Sequence, residues 1–336
     1  MPDARIALDA MGGDKAPEET VKGAVQAIER DPELAVVLVG DEERIRGQLG
    51  SCPGDTDRIL IRHASQVITG SDSPVEALRS KQDSSIRVAA SLLACGEVDG
   101  LVGAGNTGAV VACATLVVKL LPGVRRPGIA VMLPSQGGGH TIICDAGANI
   151  TCKPLHLYHY GLMAARYAER MLGIEAPRVG LMNVGSEEGK GTGLVRDTAA
   201  LFSRARHVNY IGHVEGNQVF TGDVDVIVCE GFVGNVVLKV AEGLFETLFS
   251  RFEEFARGLV SESGRDAADL DSMMSELTQR MDWAEYGGAP LLGVNGLVLI
   301  SHGRSDARAI RNALLLAAKQ HRSRVLEEMA ADVRAS

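Results

Sequence analysis

Glycine combined with Asn, Asp or Lys stands directly after five apolar, β-branched runs of this chain. The stretches are Asp9-Ala10-Met11-Gly12-Gly13-Asp14, Gly103-Ala104-Gly105-Asn106-Thr107-Gly108, Asp145-Ala146-Gly147-Ala148-Asn149, Asn183 to Gly191, and Glu230-Gly231-Phe232-Val233-Gly234-Asn235. One such loop alone is ordinary turn chemistry. Five at equivalent places point to a shared polar site, because an open parallel sheet binds ligands beyond the carboxyl ends of its strands. The groups on offer are backbone amides, carboxamides and an ammonium. Lys190 lies between Gly189 and Gly191, where amides and a cation together grip an oxyanion.

What these loops lack narrows the chemistry. Gly103 to Gly108 satisfies G-x-G-x-x-G after a strand pattern and before a helix pattern, a setting that holds phosphate. A dinucleotide site also wants an acidic residue roughly 20 positions further on for the ribose, and none occurs between Asp99 and Asp145. The loop is therefore expected to bind a phosphate other than that of NAD, and no cofactor is expected. Arg125-Arg126 is the one feature that would suit an NADP phosphate. Around Lys190, G-x-x-x-G-K-G is one residue short of a Walker A loop and lacks its magnesium-binding Ser/Thr, which excludes a nucleotide triphosphatase. There is no G-x-S-x-G elbow. His140, His156, His159, His213 and His302 are acid–base candidates, and none pairs convincingly with a cysteine. Without H-E-x-x-H or clustered Cys/His spacing, no metal site is expected. What remains is oxyanion binding with no covalent nucleophile on the protein. That suits a reaction whose anionic substrate is itself the nucleophile, with the enzyme positioning it and stabilising charge.

The elements that must carry these loops alternate. Strands are expected over Arg5–Leu8, Ala35–Val39, Arg58–Ile61, Gly100–Val102, Gly128–Leu133, Thr141–Cys144, Arg178–Met182, Val208–Ile211, Val224–Val228 and Leu297–Ile300. Helical patterns fall between them, as at Glu18–Glu29, Ile86–Cys95, Thr107–Leu120 and Leu155–Met171. Ser73-Pro74-Val75-Glu76 reads as a capping-box start with Pro in the first helical position. Such alternation means βαβ units and a largely parallel sheet between helical layers. Residues 1–336 read as one α/β unit, with room for two lobes and a cleft. Residues 236–283 break the alternation. A seam through Val237, Ala241, Leu244, Leu248, Phe252, Phe255 and Leu259 is followed by another through Leu270, Met273, Met274, Leu277 and Met281. This predicts a helical hairpin that either packs on the sheet or pairs with a second copy as a four-helix bundle. A net charge of −9 excludes general nucleic-acid binding. Six cysteines without a C-x-x-C pair read as reduced, buried small side chains of an intracellular protein. No apolar signal segment precedes Arg5, and no stretch is long enough to span a bilayer.

The loops, with Cys152-Lys153-Pro154, Cys229 to Lys239, Tyr286 to Gly296 and His302-Gly303, resemble one family: the bacterial acyl-carrier-protein:phosphate acyltransferases (PlsX-type). The resemblance runs from about Ile6 to Ala318. It implies a Rossmann-like three-layer α/β/α fold related to isopropylmalate dehydrogenases and phosphotransacetylases. The reaction it implies is acyl-ACP plus phosphate giving acyl phosphate plus ACP, in phospholipid synthesis. The alternative is a phosphotransacetylase-like enzyme acting on a CoA thioester. The resemblance makes Lys190 the phosphate-handling cation and Asn235 the second catalytic group. Asp9, Gly12, Gly13, Asp14, Gly105, Asn106, Thr107, Gly108, Asp145, Asn149, Gly189 and Gly234 are expected to line the substrate site. A carboxylate repels phosphate, so Asp9 and Asp14 are expected to orient Lys190 or the loop. The expected partners are acyl carrier protein, inorganic phosphate, a second copy, the membrane surface in transient contact and a downstream glycerol-phosphate acyltransferase. The expected location is cytoplasmic, reaching the inner face of the membrane through Leu259 and Val260 at the hairpin tip. The hairpin's acidic residues outnumber its arginines, so electrostatic attraction to anionic lipid is expected to be weak.

Overall fold

A computed structural model describes residues 2–54, 56–187, 189–205, 207–263 and 287–336, with 258–263 described as helical backbone only. Eleven strands form one sheet in the order β3-β2-β1-β4-β11-β10-β5-β6-β9-β7-β8. They are β1 Ala4–Asp9, β2 Leu34–Gly40, β3 Ile59–His63, β4 Gly100–Gly103, β5 Gly128–Pro134 and β6 His140–Cys144. The remainder are β7 Val179–Met182, β8 Tyr210–Val214, β9 Val226–Val228, β10 Ala289–Leu292 and β11 Leu297–Ile300. The helices are α1 Glu18–Arg30, α2 Glu42–Leu49, α3 Pro74–Ser80, α4 Ser85–Ala94 and α5 Thr107–Cys113. They continue with α6 Pro154–Tyr167, α7 Gly193–Phe202, α8 Gly231–Ser263, α9 Ala307–Ser323 and α10 Val325–Ala335. A π-helical turn extends α5 through Ala114–Val118 and another extends α6 through Ala168–Leu172.

β2 is buried along its whole length, as a strand covered on both faces must be, and its Leu-Ala-Val-Val-Leu-Val-Gly run has no alternation. On one face of the β1–β4 half, Ile6, Leu8, Ile28, Leu38, Ile310 and Leu314 pack under α1 and α9. On the other, Ala89, Leu93, Val110, Leu101 and Val298 pack under α4 and α5. The second half is covered on one face by α6 and α10 through Tyr160, Tyr167, Phe202, Val226 and Met329. The expected α/β layering is present, with two corrections to it.

First, the sheet is mixed. Pairing is parallel except at the centre, where β10 runs antiparallel to both β11 and β5, and β5 antiparallel to β6. The two parallel groups therefore point opposite ways, and the five loops do not all leave one edge. Second, β10 was not expected: Ala289-Pro290-Leu291-Leu292 is short, does not alternate and carries a proline, normally a mark against a central strand. Smaller differences follow from local chemistry. Ser73 precedes α3 with Pro74 in its first turn, but the Ser73 side chain makes no capping bond. Cys113, Cys144 and Cys229 are buried, whereas Cys95 is exposed. The first helix of the expected hairpin begins earlier, at Gly231. The second seam lies outside the described residues, and so do the side chains of Leu259 and Val260. Among the described residues no helix is long and apolar enough to cross a membrane.

Candidate active site

The glycine loops gather into two packed groups and one separate loop. In the first group, Asp9 is buried and accepts from the Met11 amide at 3.2 Å, folding its own turn. Burial pushes its carboxyl up to about 6, with Ser85 and the Met11 and Gly12 amides opposing that rise. The Ser85 hydroxyl itself makes no hydrogen bond of good geometry. Gly12 lies against the Gly105 amide, and the Asp14 amide donates to the Gly303 carbonyl at 2.8 Å. The loops after β1, β4 and β11 thus form one block. Asn106 caps α5: its Oδ1 accepts from the Ala109 amide at 3.1 Å, while Nδ2 donates to the Thr69 and Asp72 carbonyls. That leaves Thr107, at the start of α5, as the residue of this loop that faces the central cavity.

The second group joins the loop after β6 to the start of α8. Asp145 is fully buried and accepts from the amides of Ile129, Gly147, Ala148 and Asn149 at 2.7–3.0 Å. Burial raises its pKa and these four donors oppose the shift. The Asn149 carboxamide donates to the Pro127 carbonyl and the Tyr160 hydroxyl. Both side chains are thereby engaged in shaping the loop. A Cβ at Gly234 would lie 2.0 Å from the Asp145 carbonyl oxygen, so only glycine lets α8 approach this closely. The result sets Asn235 against Gly147.

The Lys190 loop stands apart. Its ammonium meets Glu187 at 2.6 Å and its stem folds over Gly185, while Asn183 donates to the Gly185 and Lys190 carbonyls. The pair is half exposed, and the lysine holds the Glu187 carboxyl below its ordinary range. Gly189 and Gly191 supply the left-handed backbone of this turn, with φ near +90°. Lys190 lines neither of the two cavities that Asn235 borders.

Those cavities meet over the middle of the sheet. The smaller, about 200 Å³, is bordered by Thr107, Asn235, Lys239, Glu242, Ser301 and His302 over a floor that includes Ile129, Val131 and Ala289. The larger is an open groove of about 680 Å³, with Val75, Val111, Leu116, Ile150 and Phe232 among its walls. Thr107, Ile129, Ala146 and Asn235 border both. In the smaller cavity Lys239 sits one helical turn beyond Asn235 and pairs with Glu242 at 2.7 Å. Ser301 is 4% exposed and its hydroxyl has no partner. His302 accepts from the Arg304 amide through Nδ1 at 3.1 Å, which puts its proton on Nε2. Burial, then Lys239 and Arg304, hold its pKa below the usual value, so the ring is neutral at pH 7. Lys239, Ser301 and His302 were missed as a set. The signal was available: Ser301-His302-Gly303 directly follows a strand, as the five chosen loops do. Another cleft, about 500 Å³, is bordered by Arg166 and Asp332, which pair with each other and leave no convergent group for chemistry. Among the described residues no cluster of His, Cys, Asp and Glu is placed to hold a metal ion.

The mixed α/β fold is shared with solved phosphotransacetylases. The phosphotransacetylase EutD of Staphylococcus aureus superposes with a TM-score of 0.61 at 18% identity, over 95% of this chain and 94% of that one. One from Streptococcus pyogenes gives 0.62 at 16% identity, over 96% and 94%. At such identity these show the fold alone. The sequence goes further. A family model described as fatty acid synthesis protein matches residues 4–328. A phosphate acyltransferase of Syntrophotalea carbinolica is 46% identical over 98% of this chain and 93% of its own length. One from Geobacter sulfurreducens is 43% identical over 97% and 93%. The chain belongs to this fatty acid synthesis family, the phosphate acyltransferases that its motifs resemble.

Proposed function

We propose that this phosphate acyltransferase takes its acyl group from an acyl-carrier-protein thioester and returns acyl phosphate, with the two cavities holding the two substrates. The observation that carries this reading is the shared border at Thr107, Ile129, Ala146 and Asn235, where contents of the groove and the cavity meet. The apolar groove takes the acyl chain and the polar cavity takes inorganic phosphate. A phosphate oxygen attacks the thioester carbonyl. The new C–O bond forms, the C–S bond breaks, and the phosphate proton passes to the departing thiolate. Asn235, preset by the Asp145 loop, donates to the oxyanion of the tetrahedral intermediate.

Positive charge for phosphate comes from Lys239 in the cavity and from Lys190 on the loop after β7. Each is held by a carboxylate three residues away. The Lys190–Glu187 pair is exposed on both sides and such pairs are worth about 0–1 kcal/mol, so phosphate displaces that carboxylate at little cost. Ser301 and His302 Nε2–H supply neutral donors. Two copies close along α8, whose Val240, Leu244, Leu248 and Phe255 lie more than half exposed. That apolar surface also supports brief visits to the inner face of the membrane, where a glycerol-phosphate acyltransferase consumes the product. The test is to incubate the protein with long-chain acyl-ACP and phosphate and detect acyl phosphate by mass spectrometry. Turnover of acyl-CoA with none of acyl-ACP would replace this reading by the phosphotransacetylase-like one.

A further inference from the structure

Among the described residues, the wide groove is bordered by Arg79 and Arg126 and by no acidic side chain. That is unusual for a chain with 43 Asp and Glu against 34 Lys and Arg. Arg125, Arg126 and Lys153 surround the buried His156, whose pKa they help to lower, and Arg125 acts on His159 as well. All four cations are exposed, and among the described residues none pairs with a carboxylate. The contrast with other arginines is sharp: Arg62, Arg166, Arg170, Arg178 and Arg322 each hold an Asp or Glu. Leu116, Ile150 and Phe232, 54–75% exposed, stand on the same groove.

We propose that Arg79, Arg125, Arg126 and Lys153 form the docking face for an acidic carrier protein, whose acyl-bearing arm then enters the groove toward Asn235. The inference rests on the acyl-transfer reading above and deepens it. A small phosphate-bearing thioester would be gripped by converging, partly buried donors. Here the cations are spread over the start of α6, the turn before β5 and α3, as suits a macromolecular surface. Unpaired rim charge raises the association rate and selects a partner of opposite sign. Exposed apolar side chains beside it supply the core of a modest interface.

The test titrates a fluorescently labelled, acidic holo-acyl carrier protein into the full-length enzyme and reads anisotropy at low and raised salt. Wild-type binding is expected to weaken with salt. Arg125→Glu and Lys153→Glu together, neither of which lines the groove, should weaken it about tenfold or more, the equivalent of 1.4 kcal/mol per factor of ten. KM for acyl-ACP should rise in step, while kcat, KM for phosphate and turnover of acyl-pantetheine stay at wild-type values. Arg79→Glu, on the rim of the groove, should weaken carrier binding as well. Unchanged carrier binding, equal loss with acyl-pantetheine, or charge-dependent capture of anionic phosphatidylglycerol vesicles in place of the carrier would each overturn the proposal. Arginine-dependent carrier binding without any acyl phosphate would instead overturn the transfer reading and leave the docking face standing. Arg79, Arg125 and Lys153 are all exposed, and equal melting temperatures establish that the variants fold.

Discussion

The loops that carry Asn235 and Lys190 leave adjacent strands, β9 and β7, yet they are built in opposite ways. The first is welded to the loop after β6: four amides hold buried Asp145 there, Gly234 presses on its carbonyl, and Asn235 sits beside Gly147. Among its described residues the second is held by its own Asn183, and its lysine rests on an exposed glutamate. A donor for an oxyanion must be in place before charge develops, since preorganisation is what makes it effective. A cation that admits and releases phosphate gains from a partner it can leave. The difference teaches which polar group is fixed by the fold and which is adjustable.

Gly234→Val attacks the welded loop most directly. Any Cβ there collides with backbone, so both stability and the placement of Asn235 should suffer. Overpacking of this sort costs about 1–3 kcal/mol, read as a fall of several degrees in Tm, with activity lost more completely than in any single side-chain truncation. Asn235→Ala removes the donor and leaves the fold; kcat should drop by roughly 10²–10³ with an unchanged circular dichroism melt. A near-normal kcat would take Asn235 out of the reaction.

The adjustable side is sharpened by Lys190→Ala and Lys239→Ala, compared on phosphate dependence. Loss of a charged hydrogen bond is worth about 1.5–3 kcal/mol, roughly ten- to a hundredfold in kcat/KM for phosphate. Should only Lys239→Ala respond, Lys190 never leaves Glu187. The smallest effect concerns Asp9. Its folded carboxyl titrates near 6 against 3.8 for the ordinary group, so the folded protein keeps a proton that the unfolded chain has released. The contribution of Asp9 therefore falls as pH rises through that interval and is flat above it. Asp9→Asn should flatten the slope of Tm against pH between those values. An unaltered slope would place the titration elsewhere.

Most strands were legible because runs such as β2 and β5 are continuously apolar, and the loops were legible because glycine with Asn or Asp marks strand ends. Direction was not legible: an apolar run reads the same whichever way it points, so the reversal at β10 left no trace. Residue type also conceals the hydrogen-bond partner. Asn106, Asp145 and Asn149 look like ligand-binding groups in a sequence, and the structure finds each occupied with its own backbone neighbourhood. Lys239 escaped notice because its relation to Asn235 is helical spacing, visible only once α8 is known to begin at Gly231.

Strands β10 and β11 come late in the chain but sit between β4 and β5 in the sheet. A ribosome making this protein thus releases two half-sheets long before the pair that joins them, leaving β4 and β5 with open edges during synthesis. Bare edges invite pairing with other chains, and contacts so distant in sequence form slowly. Ser301 and His302 arrive on the same late segment. A truncated product would therefore be sticky and would lack one wall of the central cavity, and the cell would meet the hazard of aggregation before that cavity was complete.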